Sequence, residues 1–182
     1  MLDKVFALVC SQDASHTWAC GGESLPFCQR CTGLYVGAVI ALALHLFVRP
    51  PQEYRLRQLH ALLLLQMIPF GFHLVPQGAV LRTLSGLLFS YGLVGFLWLL
   101  PETRLRLSRA NESWRLWVYS LCAGASLIFV LAAARWGGVA AGRALSLAGL
   151  AGLVGLGSLI LANLARCLCS VVVWLRRWRT AS

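Results

Sequence analysis

The chain has 182 residues, of which 59% are apolar and 12% are charged, and its mean hydropathy is +0.73. Soluble globular proteins are typically about 45–50% apolar and about 25% charged, so this composition excludes an ordinary soluble domain. The formal charge is +10. Most of the basic residues flank long apolar runs, which is typical of membrane proteins and argues against nucleic acid as a partner. The lipid bilayer is therefore the first partner that the sequence predicts.

Apolar stretches of the length needed to cross a bilayer recur along the chain. A membrane-spanning helix needs about 20 predominantly apolar residues, and breakers such as Pro101 and Gly137 separate the stretches. We predict an all-α, polytopic transmembrane helix bundle of about five spans. Four spans are the alternative, because Pro69, Gly71 and His73 interrupt the second stretch. The predicted spans lie near residues 33–48, 59–76, 83–100, 116–134 and 144–164.

The chain divides into a Cys/His-rich N-terminal segment at residues 1–32 and a helical membrane domain at residues 33–182. Gly33, Gly37 and Ala41 recur every four residues on one face of the first span. Small residues let helix backbones approach each other in lipid, so this face is predicted to pack against another helix. The sequence allows either a second copy of the chain, in a homo-oligomer, or a different membrane protein as a partner.

The distribution of Lys and Arg predicts the orientation of the chain. With the N-terminus outside, 11 of these residues fall on the inner side and 5 on the outer side. Membrane proteins carry the excess of positive charge in the cytoplasm. We therefore expect an inner (plasma) membrane protein with its N-terminus outside and its C-terminus in the cytoplasm. The inner residues are Arg49, Arg55, Arg57, Arg104, Arg106, Arg109, Arg115, Arg166, Arg176, Arg177 and Arg179, and the outer ones are Lys4, Arg30, Arg82, Arg135 and Arg143.

Four of the seven cysteines precede the first span, and one histidine lies among them. Two thiolates separated by two residues, such as Cys28 and Cys31, can bind one ion, and Zn²⁺ takes four nitrogen or sulfur ligands. In one interpretation the segment therefore holds zinc or iron. Cys10 is then the third ligand, and Cys20 or His16 is the fourth.

In a second interpretation, Cys28 and Cys31 are the redox pair of a membrane thiol–disulfide oxidoreductase with a quinone as electron acceptor. A thiol at a helix N-terminus has its thiolate stabilised by the helix dipole and by a nearby cation such as Arg30. In a third interpretation, the cysteines form disulfides or pack as small residues in a structural or partner-binding membrane subunit. The sequence leaves open whether the chain is an enzyme.

Three histidines and one arginine of the membrane domain are further candidates. His73 is predicted to lie on the outer side with the cysteines. Arg82 is expected near Arg30, where the two bind an anionic headgroup or a quinone oxygen, or anchor the chain at the interface. His45 lies inside an apolar span, where an ionisable group is a functional candidate by default. With His60 on the same side, it forms either a haem or metal pair or a neutral helix contact.

One segment resembles a known family. It is Leu25-Pro26-Phe27-Cys28-Gln29-Arg30-Cys31-Thr32-Gly33, followed by Leu34, Tyr35 and Gly37. It resembles the small prokaryotic membrane proteins of domain of unknown function 2085, whose hallmark is a Cys-His pair, then Leu-Pro, Cys-x-Arg-Cys-Thr-Gly, an aliphatic residue, Tyr and Gly. Residues 81–88 resemble the Arg and Thr-Gly element of that family, with Ser85 where Thr is usual.

The resemblance implies a membrane location and names no reaction. It singles out a set of residues, namely Cys28, Arg30, Cys31, Thr32, Tyr35 and Arg82. Ser11 stands where the family has His after its first cysteine, here Cys10. If the family site uses Cys, His, Cys and Cys as ligands, the resemblance implies that Cys20 or His16 replaces the missing His, or that the site is altered.

Overall fold

A computed structural model describes residues 2–50, 54–72, 74–105 and 113–181 of the chain. Helices dominate, and one β-hairpin lies near the N-terminus. A single 3₁₀ turn, Ala14–His16, precedes the hairpin. In chain order the elements are α1 (Leu2–Phe6), β1 (Thr17–Cys20), β2 (Glu23–Cys28), α2 (Gln29–Phe47), α3 (Tyr54–Leu65), α4 (Met67–Gly71), α5 (Ala79–Leu105), α6 (Ser113–Trp136) and α7 (Val139–Ala181).

Four helices of the described chain are long and apolar enough to cross a membrane, which confirms the predicted polytopic helix bundle. Their number agrees with the four-span alternative rather than with five. The two-stranded hairpin was not predicted. Helix α2 begins four residues before the predicted domain boundary, so Cys31 lies in its first turn. The candidate spans are Gln29–Phe47, Ala79–Trp98, Trp114–Trp136 and Val139–Val172.

The second predicted span, residues 59–76, is divided between the short helices α3 and α4, and neither is a candidate span. Pro69 causes the division: it has no N–H, and its ring conflicts with the carbonyl four positions earlier, at Leu65, where α3 ends. Helix α3 nevertheless runs antiparallel to α5: Gln66, just after its end, donates to the Ser85 carbonyl at 2.9 Å, whereas His60, earlier in α3, lies against Gly92 and Gly95, later in α5. The segment after α2 therefore leads the chain back toward the end of the bundle at which α5 begins.

Helix α2 lies at the centre of the bundle, between α5 and α7. A Cβ at Gly33 would collide with the Thr83 carbonyl of α5, and one at Gly37 would collide with the Ser90 hydroxyl. The predicted packing face of the first span is therefore confirmed. On the other side of α2, a Cβ at Gly152 of α7 would collide with the Tyr35 carbonyl. Glycine allows both contacts, because backbones this close leave no room for a side chain.

The hairpin is fixed by its turn and by its buried face. Cys20 pairs with Glu23 across Gly21 and Gly22, whose φ angles of +60° and +86° suit a two-residue hairpin turn. Side chains alternate along a strand, so Trp18 and Cys20 share a face, and both are buried. The Trp18 indole donates to the Thr83 hydroxyl at 2.9 Å. The hairpin thereby rests on the helix bundle.

The two ends of the bundle differ in what they carry. We call one the cysteine end; it contains the N-terminal segment, the start of α5 and the turn between α6 and α7, where Val139 touches Gly21. The opposite end contains the C-terminus of α2 and the start of α3. Helices α6 and α7 expose apolar side chains between the ends, such as Leu121, Phe129 and Leu161. In a membrane protein these residues contact the lipid bilayer.

Candidate metal centre

Three thiols meet at the cysteine end. The Sγ atoms of Cys10, Cys28 and Cys31 all lie within 4.8 Å of one another. Thiolates that share a tetrahedral zinc ion, with bonds of about 2.3 Å, lie roughly 3.8 Å apart, so this separation suits one metal ion. The backbone N–H of Cys28 also donates to the Sγ of Cys10 at 3.3 Å. The structure thus brings together three of the five residues predicted as metal ligands.

The position of Cys10 depends on α1. Phe6 is fully buried, with its ring centre 4.7 Å from that of Phe27 and 5.6 Å from that of Tyr35. The N–H of Cys10 donates to the Phe6 carbonyl at 2.8 Å, which ties the cysteine to this aromatic anchor. The side-chain amide of Gln12 then donates to the Pro26 carbonyl at 2.8 Å. Cys10 is therefore held against β2 from both sides.

Helix α2 positions the other two thiols. Cys28 is its N-cap residue and Cys31 lies in its first turn. The pKa of Cys28 is lowered to about 5, first because the Cys31 thiol donates to its sulfur and further because backbone N–H groups of the helix start, including those of Cys31 and Arg30, point at it. Burial acts in the opposite direction and does not cancel this effect. The site therefore favours a thiolate, the form that binds metal.

The thiols open on a cavity of about 370 Å³. His16 lines the same cavity, and its Nδ1 lies 3.1 Å from Oδ2 of Asp13. The hydroxyl and N–H of Ser15 both donate to Asp13, which lowers the pKa of that carboxyl. A carboxylate on one ring nitrogen of a histidine orients the other nitrogen, as in many metal sites. His16 is thus near the thiols, although outside the group of three.

Two arginines complete the cavity wall, Arg30 and Arg82. The Arg30 guanidinium donates to the Phe70 carbonyl at 2.9 Å and to the Gln77 side chain at 2.8 Å. These contacts join the start of α2 to the segment before α5. Arg82 lines the same cavity as Arg30, so the two arginines lie near each other as expected. The cavity therefore combines thiols with positive charge.

Cys20 lies apart from the other cysteines of the N-terminal segment. It is fully buried, and its Sγ lies 3.6 Å from the Ala134 carbonyl and 3.8 Å from that of Ala133 on α6. Burial raises the pKa of its thiol. The strand places Cys20 on the face that packs against the bundle, so the structure does not bring it to the group formed by Cys10, Cys28 and Cys31. Of the two predicted fourth ligands, only His16 faces the cavity.

The other candidate residues predicted from the sequence are Thr32, Tyr35 and His73. The Thr32 hydroxyl is buried and donates to the Cys28 carbonyl at 3.1 Å, within the first turn of α2. Tyr35 is buried against Phe6. His73 falls outside the described residues. Asp13 was missed, although its position three residues before His16 is a sequence signal that could have revealed the pair.

A bundle of apolar helices with three thiols around a cavity at one end defines a polytopic membrane protein with a candidate thiol metal centre. Residues 10–97 match the family described as predicted membrane protein, domain of unknown function 2085, and this part of the chain belongs to that family. The matched segment contains the three thiols, the hairpin and helices α2 to α4. No curated protein and no solved structure matches the chain.

Proposed function

We propose that this membrane protein binds one zinc-like ion through Cys10, Cys28, Cys31 and His16. The observation that carries the proposal is the convergence of the three sulfur atoms within 4.8 Å. Thiolate ligands favour zinc and iron over magnesium or calcium. Four protein ligands make a closed site, which is the usual form of a structural metal centre. The ion would join α1, the turn at His16 and the start of α2.

The geometry favours His16 over Cys20 as the fourth ligand. His16 lines the cavity onto which the thiols open, whereas the sulfur of Cys20 contacts backbone carbonyls of α6. Asp13 on Nδ1 leaves Nε2 of His16 as the nitrogen available to a metal. His16, six positions after Cys10, would thus replace the His that directly follows the first cysteine in the family pattern.

The test is the metal content of the protein purified in mild detergent without chelator. We expect about one zinc or iron per chain, which disappears in Cys28→Ser together with part of the thermal stability. Cys169→Ser is the matched control, because this cysteine is exposed on α7. Equal metal content in Cys28→Ser and Cys169→Ser would overturn the proposal. His16→Ala should weaken binding, whereas Cys20→Ala should leave the stoichiometry unchanged.

We place the cysteine end on the outer side of the inner membrane. The basic residues Lys4, Arg30, Arg82, Arg135 and Arg143 belong to that end, and the other 11 belong to the opposite side of the predicted topology. This arrangement does not depend on counting α3 and α4 as a span, because α3 returns the chain along α5. The positive-inside rule then supports an outer metal centre.

A second candidate function is thiol–disulfide exchange coupled to a quinone. The observation that favours it is Cys28 at the N-cap of α2, with Cys31 in the next turn and a cavity in front of both. A Cys28–Cys31 disulfide would accept two electrons and two protons from a substrate dithiol, and the quinone would then accept them and become quinol.

The two functions separate experimentally. In the redox case, Cys31→Ser traps a mixed disulfide between Cys28 and the substrate, and added quinone reoxidises the wild-type dithiol. In the metal case, the same variant loses the ion and traps nothing. The redox function is excluded if metal-free protein forms no trapped disulfide and also reduces no quinone.

A further inference from the structure

A separate group of ligand-type side chains lies inside the bundle, away from the thiols. His45 of α2 and His60 of α3 are 0% and 1% exposed, and their ring centres are 6.0 Å apart. The ring centre of Tyr119 of α6 lies 5.5 Å from that of His45 and 6.0 Å from that of His60. Three helices thus direct one donor side chain each to the same buried region.

The hydrogen bond of His45 fixes which of its nitrogens carries a proton. Nδ1 lies 2.8 Å from the Ala41 carbonyl, which can only accept, so Nδ1 is the protonated nitrogen. Nε2 therefore carries a lone pair. This atom is buried and has no hydrogen-bond partner in the described part of the chain. A backbone carbonyl on one nitrogen and an unused lone pair on the other is the usual arrangement of a metal-binding histidine.

His60 has a lone pair in the same region. The Tyr119 hydroxyl lies 3.0 Å from its Nε2 and donates to it when that nitrogen is unprotonated. Glycine in α5 makes room for the ring, because a Cβ at Gly95 would collide with the His60 imidazole. On the far side, the ring centre of Trp98 lies 5.9 Å from that of His45 and forms an apolar wall.

We propose that His45 and His60 bind one Cu(I) ion, with Tyr119 beside it. Two imidazoles that share a metal at about 2.0–2.1 Å have ring centres roughly 6 Å apart, which is the separation observed. The N–Cu bond at His60 replaces its hydrogen bond to Tyr119. Both nitrogens donate existing lone pairs, so binding releases no proton and changes no oxidation state.

The charge of the surroundings selects a monovalent ion. The acidic side chains that the structure describes are Asp3, Asp13 and Glu23, and all of them belong to the N-terminal segment. His45 and His60 are neutral donors, so among the side chains that the structure describes nothing beside the two histidines offsets the charge of an ion bound there. The cost of burying charge grows with its square, which favours a singly charged ion over Zn²⁺ or Fe²⁺. Imidazole suits copper, and Cu(I) is satisfied by two such ligands.

The test uses a variant from which the accessible thiols have been removed, because thiols bind Cu(I) strongly. Its substitutions replace every cysteine except the fully buried Cys20, namely Cys10→Ser, Cys28→Ser, Cys31→Ser, Cys122→Ser, Cys167→Ser and Cys169→Ser. Cu(I) is titrated without oxygen against a coloured Cu(I) chelator. We expect this variant to retain one Cu(I) per chain, and to lose it when His45→Gln or His60→Gln is added. His16→Ala in the same variant is the control and should retain the ion.

X-ray absorption at the copper edge provides a second measurement that does not require the six substitutions. In protein with all its thiols, a second equivalent of Cu(I) should show nitrogen neighbours, and His45→Gln should remove them while the sulfur-bound equivalent stays. The proposal is overturned if the second equivalent is bound by sulfur alone, if His45→Gln leaves the nitrogen signal unchanged, or if Zn²⁺ binds there instead of copper. If the thiols bind no metal but the histidines bind Cu(I), the proposed function is wrong and the histidine site stands.

Discussion

The backbone N–H of Cys28 donates to the Sγ of Cys10 at 3.3 Å, although the two residues are 18 positions apart in the chain. This contact joins the segment that follows α1 to the start of α2. A backbone N–H directed at a thiolate is a common feature of metal–sulfur sites, because it stabilises the charge on sulfur. The geometry of the candidate metal centre therefore depends on how α1 is held, as well as on the candidate ligands themselves.

The aromatic anchor under Cys10 gives the first prediction. Phe6→Ala should destabilise the packing of α1 by about 3–5 kcal/mol, the usual cost of removing a buried Phe. We expect metal content to fall although no ligand has changed. Leu8→Ala is the control, because Leu8 is 85% exposed in the same segment. Metal analysis and thermal unfolding measure the two effects, and unchanged metal in Phe6→Ala would contradict the anchoring role.

The reactivity of Cys28 gives the second prediction. In metal-free protein, the rate of its alkylation should rise with pH and reach half its maximum near the lowered pKa of about 5, because the thiolate is the reactive form. An ordinary thiol reaches that point near about 8.5. Cys31→Ala removes the strongest stabilising hydrogen bond and should move the midpoint upward. Mass spectrometry of the labelled peptide identifies the residue, and a wild-type midpoint near 8.5 would refute the prediction.

The contact between α2 and α7 gives the third prediction. Gly152→Ala should lower the thermal stability of the detergent-solubilised protein, because the new Cβ would collide with the Tyr35 carbonyl. Gly157→Ala on the same helix meets nothing within 4 Å. Alanine is the better helix former, so the control should be neutral or stabilised by about 0.5–1 kcal/mol. Equal melting temperatures for the two variants would show that α7 does not pack on α2 as described.

The histidine pair gives the fourth prediction. Tyr119→Phe removes the hydroxyl that satisfies His60, and a buried polar group left without its partner costs about 1–3 kcal/mol. The copper-free variant should therefore unfold at a lower temperature than the wild type. Added Cu(I) should restore more stability to the variant than to the wild type, because the ion takes the place of the lost hydroxyl. Thermal unfolding with and without Cu(I) measures both effects. Equal stabilisation of the variant and the wild type by Cu(I) would show that the ion does not take the place of the Tyr119 hydroxyl.

The orientation gives the fifth prediction. Ser24 is exposed on the hairpin, and Phe47 is 84% exposed at the far end of α2. A membrane-impermeant thiol reagent should label Ser24→Cys in intact cells, whereas Phe47→Cys should react only after the membrane is permeabilised. The reverse pattern would place the cysteine end in the cytoplasm. Each substitution is made in protein in which Cys10, Cys28, Cys31, Cys167 and Cys169 are Ser, so that the native thiols of the cysteine end and of α7 are not labelled.

Sequence periodicity predicted the helix packing well, because small residues at every fourth position define a face without further information. The face of Gly33 and Gly37 packs against α5 as expected. The second predicted span was wrong for a local reason: hydropathy does not register that Pro69 ends a helix at Leu65. The hairpin was also missed, since its alternating pattern is only four residues long in β1.

Strand β1 also explains which of the candidate metal ligands could be predicted from the sequence. Spacing alone grouped Cys28 with Cys31, and Cys10 was expected with them. Spacing could not separate Cys20 from His16 as the fourth ligand. Alternation along β1 turns Cys20 toward the bundle together with Trp18, whereas the turn before it leaves His16 at the cavity. Only the backbone conformation of residues 14–20 distinguishes the two.

The docking of Gly21 against Val139 has a consequence for how the protein is made. Synthesis proceeds from the N-terminus, so the hairpin and the three thiols leave the ribosome long before α7. The surface that supports Gly21 and Cys20 is formed by Val139, Ala134 and Gly142, all from the last two helices. The thiol segment therefore gains its complete support only when the final helix has entered the membrane, so the proposed metal would be bound late in the life of each chain.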